Sequence, residues 1–460
     1  MNRPPSRPAI SPARRAAFDI LRRVTTEGAY AAPLIAALPQ SELSREDRAL
    51  AQELALGVLR WQSALDYFIE RYAGRPIRKL DAAVLIALRL GLYQLRFLSR
   101  IPASAAVNES VNLVKRARAT SAAPMVNAVL RRAAREANEA AGQHLSDPLE
   151  RLAVEVSHPR WLLERWIAAF GEADARQLAI ANNQPPPAAF RINTLRASTN
   201  EAVARLEGEG LRLRKSNVAP GAFVVEDGAM AALAKAAERG EIYIQDEASQ
   251  LVSLLLAPAS GERVLDLCAA PGSKSSHIAL LAGASSWVMA CDIHPHRLAT
   301  LVATCKRLSI ESVAPVALDA TRELPLLESA PPFDRVLIDA PCSGTGTLRR
   351  NPEIKWRLAP EDIPRLAGVQ MRLLQRATET LKPGGRLVYS TCSMEREENE
   401  AVVHRFLESG APFRLVAPDA PADFITSESF VRTFPHRGGA DGFFAAVLEK
   451  TNDDESSDPQ

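Results

Sequence analysis

The 460-residue chain is poor in the features that would place it in a membrane, in a secreted disulfide scaffold or around a structural metal. It has no run of eighteen uninterrupted apolar residues, the length a spanning helix needs, so no membrane partner is expected. Met1–Arg15 holds arginines and prolines with no apolar stretch behind them, so no signal peptide is expected and the cytoplasm is the expected location. Only five cysteines are present, Cys268, Cys291, Cys305, Cys342 and Cys392, none in CxxC spacing. An odd number in one half of a chain is a poor disulfide framework. Histidines do not cluster with them. His294 and His296 flank Pro295 at what reads as a solvated strand-to-helix turn, and no metal is expected.

A hydrophobic content of 47% beside 24% charged residues predicts a folded globular protein. The length exceeds one ordinary core and predicts two or three domains. A net charge of only +2 hides an asymmetry: residues 1–140 hold 22 Lys or Arg against 12 Asp or Glu, a balance of +10, and the remainder −8. A basic first third suits a polyanionic partner, and equally an arginine-rich solvated helix surface.

From Ala13 to about Ala140 the chain reads as successive amphipathic helices, as in Ala82–Leu98, where Val84, Leu85, Leu88, Leu92, Tyr93 and Leu95 recur at three- and four-residue steps. Residues 141–240 read as a small α+β module. It contains a helix after Pro159, the linker-like run Asn182–Pro187, a strand over Ala189–Asn193, a helix to Leu206 and a strand over Phe223–Val225. From 241 to 450 short apolar strands alternate with helices. Strands are predicted at Arg263–Leu267, Trp287–Cys291, Pro315–Leu318, Arg335–Ile338 and Arg386–Ser390, and helices at Lys274–Leu281, Arg297–Leu308 and Ile363–Leu381. This alternation predicts a parallel sheet covered on both faces, with Phe413–Leu415 and Gly442–Leu448 as an antiparallel edge hairpin. Residues 451–460 are expected to be a disordered acidic tail.

Ligands of open α/β sheets bind beyond the carboxyl ends of the strands. There the sequence has Cys268-Ala269-Ala270-Pro271-Gly272-Ser273-Lys274, which is neither a dinucleotide fingerprint nor a P-loop. Small residues let the backbone approach a ligand as a helix begins. Asp266, Asp292, Asp319 and Asp339 fall at four successive strand ends. Asp292 suits two ribose hydroxyls and Asp319 an adenine amino group. An acidic rim without phosphate-binding loops suits S-adenosylmethionine, whose sulfonium is cationic. Two cysteines follow the next strands, in Asp339-Ala340-Pro341-Cys342-Ser343-Gly344 and Thr391-Cys392-Ser393, and adjacent strands about 5 Å apart can aim both into one cleft. A thiolate adding to carbon 6 of a cytosine makes carbon 5 nucleophilic enough to take a methyl group. Lys274 is placed to lower a cysteine pKa.

These motifs, with Ser343–Trp356, Glu398-Asn399-Glu400 and Asp441-Gly442-Phe443-Phe444, resemble the RNA 5-methylcytosine methyltransferases of the RsmB/NOP class. The first 140 residues resemble a NusB-like RNA-binding domain. The resemblance implies an all-α NusB-like bundle, a small α+β module and a Rossmann-like class I methyltransferase domain. It implies S-adenosylmethionine as cofactor, Cys392 as nucleophile, Cys342 as the second cysteine that resolves the RNA adduct, and Cys268 to Lys274 with Asp292, Asp319 and Asp339 around the cofactor. With its helical first third, the chain is similar to members that methylate one cytidine of 16S ribosomal RNA, and a monomer is expected. Ser273 departs from the family, which usually has a second glycine there. Arg349, Arg350 and Lys355, beside Trp356, are expected to meet RNA phosphates. Two rivals are a DNA cytosine-5 methyltransferase using Cys342 and a non-catalytic RNA-binding or antitermination factor.

Overall fold

A computed structural model describes residues 10–39, 41–136, 139–324 and 330–452. The acidic tail expected from residue 451 lies, from Asp453 onward, outside them. The chain divides into two compact units, one of Met1–Pro185 with Leu348–Arg357, the other of Pro186–Thr347 with Leu358–Gln460.

The first unit is helical. Ala82–Phe97 is its central helix, started by the Asp81 carboxylate, which accepts from the Ala83 and Val84 amides. The expected apolar stripe is present, but Ile86, Ala87 and Leu90 are buried too, because other helices pack around most of its circumference. Close packing needs Gly91: a Cβ there would sit 2.5 Å from Leu130 and 2.7 Å from the Ser110 hydroxyl. The helical unit continues past residue 140 through Pro148–Glu155, Arg160–Phe170 and Glu172–Asn182. The Ser157 hydroxyl holds these helices to the bundle by accepting from the Ser63 and Ala64 amides at 3.0 and 3.4 Å. The compact boundary therefore falls at the proline run, 45 residues beyond the expected end of the bundle.

The second unit opens with a four-stranded antiparallel sheet of β1 (Ala188–Ile192), β2 (Leu211–Lys215), β3 (Ala222–Gly228) and β4 (Ile242–Ile244), in the order β2-β3-β1-β4. Phe190, Ile192, Leu206, Leu211, Phe223 and Leu233 form its core.

The larger sheet contains β5 (Arg263–Asp266), β6 (Trp287–Asp292), β7 (Val313–Ala317), β8 (Phe333–Asp339), β9 (Leu381–Thr391), β10 (Phe413–Leu415), β11 (Val431–Arg432) and β12 (Phe444–Lys450). Its order is β10-β12-β9-β8-β5-β6-β7, with β11 paired to β12. Strands β5 to β9 are parallel. Alternate residues feed two cores. Val264, Leu337 and Val388 join helices Glu247–Leu255, Ser273–Ala282 and Pro295–Leu308, whereas Leu265, Val336, Ile338 and Leu387 join Asp362–Thr380 and Glu400–Glu408. The expected hairpin pairing of Phe413–Leu415 forms, but β12 is no edge strand. It lies between β9 and β10, antiparallel to both, because Ala445 and Val447 fill one core and Phe444, Ala446 and Leu448 the other. The chain moves outward from β5 through β6 to β7 and resumes at β8 on the other side of β5. This reversal leaves a crevice at the carboxyl ends of β5 and β8.

Candidate active site

A cleft of about 350 Å³ occupies that crevice, lined by Cys268, Ala270, Asp292, Ile293, Asp319, Asp339, Cys342 and Cys392 among others. Its floor is the loop after β5. Asp266 is fully buried and accepts from the Ser275 hydroxyl at 2.7 Å and the Cys268 amide at 3.3 Å; burial pushes its carboxyl up to about 7. The Ala269 amide reaches the Cys291 carbonyl at 2.7 Å, which holds the loop against β6. Gly272 makes the turn at φ +101°, where a Cβ would press on Leu301 at 2.7 Å. Ser273 opens the following helix without a left-handed angle, so serine fits where the family usually has glycine. Asp292 accepts from the Ala270 amide at 3.3 Å and the His294 amide at 2.8 Å, joining the first two strand ends. Asp319, two residues beyond β7, is held below the usual carboxylate range by hydrogen bonds from Thr321.

The two cysteine loops meet. Asp339 pairs with Ser390 across β8 and β9, and the chains beyond bring Cys342 Sγ to 3.4 Å from Cys392 Sγ. The Gly346 amide donates to the Cys392 carbonyl at 2.9 Å, and the Gly442 amide to the Gly346 carbonyl at 2.9 Å. The hydrogen bond with Cys392, followed by burial, pushes the Cys342 thiol well up and keeps it protonated. Burial does the same to Cys268. Lys274 is buried, and its ammonium donates to Asp339 Oδ2 at 2.7 Å. Burial opposes its charge, but the Asp339 carboxylate prevails and raises it above the ordinary lysine value. Asp339 also accepts from the Ser390 hydroxyl at 3.1 Å.

Glu398 supplies a positioning contact that its motif alone did not reveal. Its buried carboxylate accepts from the Ser343 amide at 2.9 Å, the Ser343 hydroxyl, the Ser393 hydroxyl at 2.5 Å and Gln370 Nε2 at 3.1 Å. One side chain thus fastens the residue after each cysteine. The signal in the sequence is the repeated Cys-Ser pair, at 342–343 and 392–393.

The basic run after Cys342 corrects an expectation. Residues Leu348–Arg357 belong to the helical unit. Lys355 is 1% exposed, and its Nζ donates to the Arg60 carbonyl at 2.8 Å, the Ser157 carbonyl at 2.6 Å and Asn183 Oδ1 at 3.0 Å. Three acceptors use all three ammonium hydrogens, so none is left for a phosphate. Arg349 is likewise buried, and its carbonyl accepts from Arg60 at 3.0 Å. Arg350 is half-buried. Trp356 donates from Nε1 to the Leu59 carbonyl at 2.6 Å. Arg349 and Lys355 thus pack inside the helical unit, whereas Arg350 and Arg357 keep part of their surface exposed.

Strand order, acidic strand ends and apposed thiols define an α/β methyltransferase with helical and ferredoxin-like domains appended. Residues 253–449 match the family model described as 16S rRNA methyltransferase RsmB/F, residues 11–135 match the NusB family, and residues 158–231 match the RsmF/B-like ferredoxin-like domain. The chain belongs to the RsmB/F methyltransferase family. It is 36% identical over 446 residues to the probable ribosomal RNA small subunit methyltransferase B of Bacillus subtilis (strain 168), covering 95% of this chain and 98% of that one. It is 35% identical over 434 residues to ribosomal RNA small subunit methyltransferase B of Erwinia tasmaniensis, covering 94% and 97%. A solved methyltransferase homolog protein from Pyrococcus horikoshii superposes with a TM-score of 0.58 at 31% identity, covering 66% of this chain and all of that one. No helix among the described residues is long and apolar enough to cross a membrane.

Proposed function

We propose that this protein methylates carbon 5 of a cytidine in 16S ribosomal RNA, using S-adenosylmethionine and a transient bond between Cys392 and carbon 6 of the base. The observation that supports it most is the 3.4 Å approach of Cys342 and Cys392 within one cleft that also contains Asp292, Asp319 and Asp339. The donor's chemistry suits these residues: Asp292 for the ribose hydroxyls, Asp319 for the adenine amino group, and the backbone from Cys268 to Lys274 for close approach. When bound, it supplies a methyl group on a cationic sulfur.

The chain's own groups then do the rest. The Cys392 thiolate forms a bond to carbon 6, and the electron pair displaced from the ring double bond makes carbon 5 nucleophilic. The carbon-5 proton then leaves to a water molecule, its bonding pair rebuilds the carbon 5–carbon 6 double bond, and the Cys392–carbon 6 bond breaks with its electrons returning to the sulfur. Cys342, held as a thiol beside Cys392, can give its proton to the departing sulfur. Lys274, paired with Asp339, fixes the carboxylate at the base of the cleft.

The test uses labelled methyl transfer to 16S ribosomal RNA from cells lacking the protein, with denaturing gels to detect protein–RNA adducts. Cys392→Ala should abolish both transfer and adduct, whereas Cys342→Ala should accumulate the adduct because release fails. The reverse pattern would make Cys342 the nucleophile and favour a mechanism of the DNA cytosine-5 type. Unchanged methyl transfer in Cys392→Ala would overturn the proposal.

A further inference from the structure

Strand β1 has two faces. Phe190 and Ile192 enter the core of the small module, so Arg191 and Asn193 point the other way. The Asn193 amide nitrogen donates to the Gly240 and Leu308 carbonyls, both at 2.8 Å; Leu308 ends the helix that begins just after Asp292. Arg191 reaches the other helix of the cleft. Its Nη2 donates to the Ser276 hydroxyl at 2.9 Å and lies 3.5 Å from the Ser273 carbonyl, while Nε donates to Gln245 Oε1 at 3.1 Å. The Ser276 hydroxyl passes the contact on by donating to the Gly272 carbonyl at 2.6 Å. A continuous path of hydrogen bonds therefore runs from β1 to the left-handed glycine of the cofactor loop.

This guanidinium is costly to keep. It is 3% exposed, and among the described residues Nη1 has no hydrogen-bond partner and no carboxylate accepts from the group. Burial pulls its pKa down to about 10. Its guanidinium lies over the Tyr243 ring, 4.9 Å from the centroid. A hydrophobic side chain would fill the same space without a buried unpaired charge. What it could not do is hold Ser276 and Ser273, the first turn after the loop that ends at Gly272.

We infer that Arg191 is a positioning residue for the donor site, through which the ferredoxin-like module sets the geometry of the Gly272–Ser276 turn and hence the affinity for the methyl donor. The inference rests on the donor reading above, but its second readout does not need that reading.

The experiment measures equilibrium binding of S-adenosylhomocysteine to the full-length protein by calorimetry, and amide hydrogen exchange at residues 273–277. Arg191→Met should weaken binding by about tenfold or more, the scale of a lost charged hydrogen bond, and speed exchange in that turn. Arg191→Lys should recover part of the loss. Ser276→Ala removes the acceptor and leaves the arginine in place, so it should move both readouts in the same direction and decides the matter if Arg191→Met does not fold. Affinity for 16S ribosomal RNA should stay unchanged in all three. Folded variants that bind within about twofold of the parent, with unaltered exchange, overturn the inference. If the parent protein itself binds no S-adenosylhomocysteine, the donor reading fails, and the exchange rates alone still judge the positioning role.

Discussion

At the scale of single residues, Glu398 shows how a side chain can govern chemistry it does not perform. Burial drives its carboxyl toward the neutral form, while hydrogen bonds from Ser343, Ser393 and Gln370 offset part of that cost. Removing the group leaves the buried Ser343 amide without this acceptor and the Gln370 side-chain amide with the Pro341 carbonyl at 3.0 Å in place of two acceptors. Each lost acceptor costs about 1–3 kcal/mol, so Glu398→Ala should lower the unfolding free energy by several kcal/mol and slow adduct formation. Glu398→Gln is the informative comparison. It keeps the shape without the charge, and the two serine hydroxyls can turn to accept from the new amide. Thermal unfolding and single-turnover rates should therefore show Gln restoring most of what Ala loses. If Gln is as damaging as Ala, the charge of Glu398 matters and the positioning account is inadequate.

At the scale of elements, the carboxyl end of the larger sheet is three backbones laced together. Gly346 takes the Cys392 carbonyl with its amide and offers its own carbonyl to Gly442. A Cβ on Gly346 would lie 2.0 Å from the Gly442 carbonyl oxygen and 2.9 Å from that of Cys392, and backbone cannot swing aside as a side chain can. Gly346→Ala should cost about 1–3 kcal/mol or more as overpacking, and should separate the thiols. Its check is the loss of methyl transfer in a protein whose far-ultraviolet circular dichroism is unchanged. Short apolar runs alternating with helices made the five parallel strands, and with them the loop after β5, legible in the sequence, because strands buried on both faces read as near-continuous apolar runs. Strands β2 and β4 were not legible: Arg212 and Lys215 in β2 are exposed and β4 has only three residues, so neither shows a pattern until its neighbours are in place. Nor was the insertion of β12 between β9 and β10, since pairing partners far apart in the chain leave no local mark.

At the scale of the whole molecule, the basic run after Cys342 is where charge composition and structure part. A solvated lysine facing a phosphate and a buried lysine satisfied by carbonyls look identical in sequence. Which one occurs at position 355 depends on Arg60, Ser157 and Asn183, each more than 170 residues away. The two cases predict opposite responses to Lys355→Met. A phosphate contact would leave stability nearly unchanged, weaken binding to 16S ribosomal RNA and reduce the slope of log affinity against log salt by about 1. A buried ammonium with three acceptors predicts a loss of about 3–5 kcal/mol in stability, because two carbonyls and an amide oxygen would be left without donors. The salt slope should then stay where it was at temperatures below unfolding. Burial pushes the Lys355 ammonium well below the usual lysine range, and the neighbouring Arg60 charge adds to this. Because its folded-state value lies below the unfolded one, the charge itself costs the fold stability, and raising the pH between those two values should stabilise the parent relative to Lys355→Met. A parent protein whose stability relative to Lys355→Met rises as pH climbs toward the ordinary lysine value places this lysine in the architecture of the helical unit; an RNA affinity that falls with the substitution while stability holds returns it to the RNA surface.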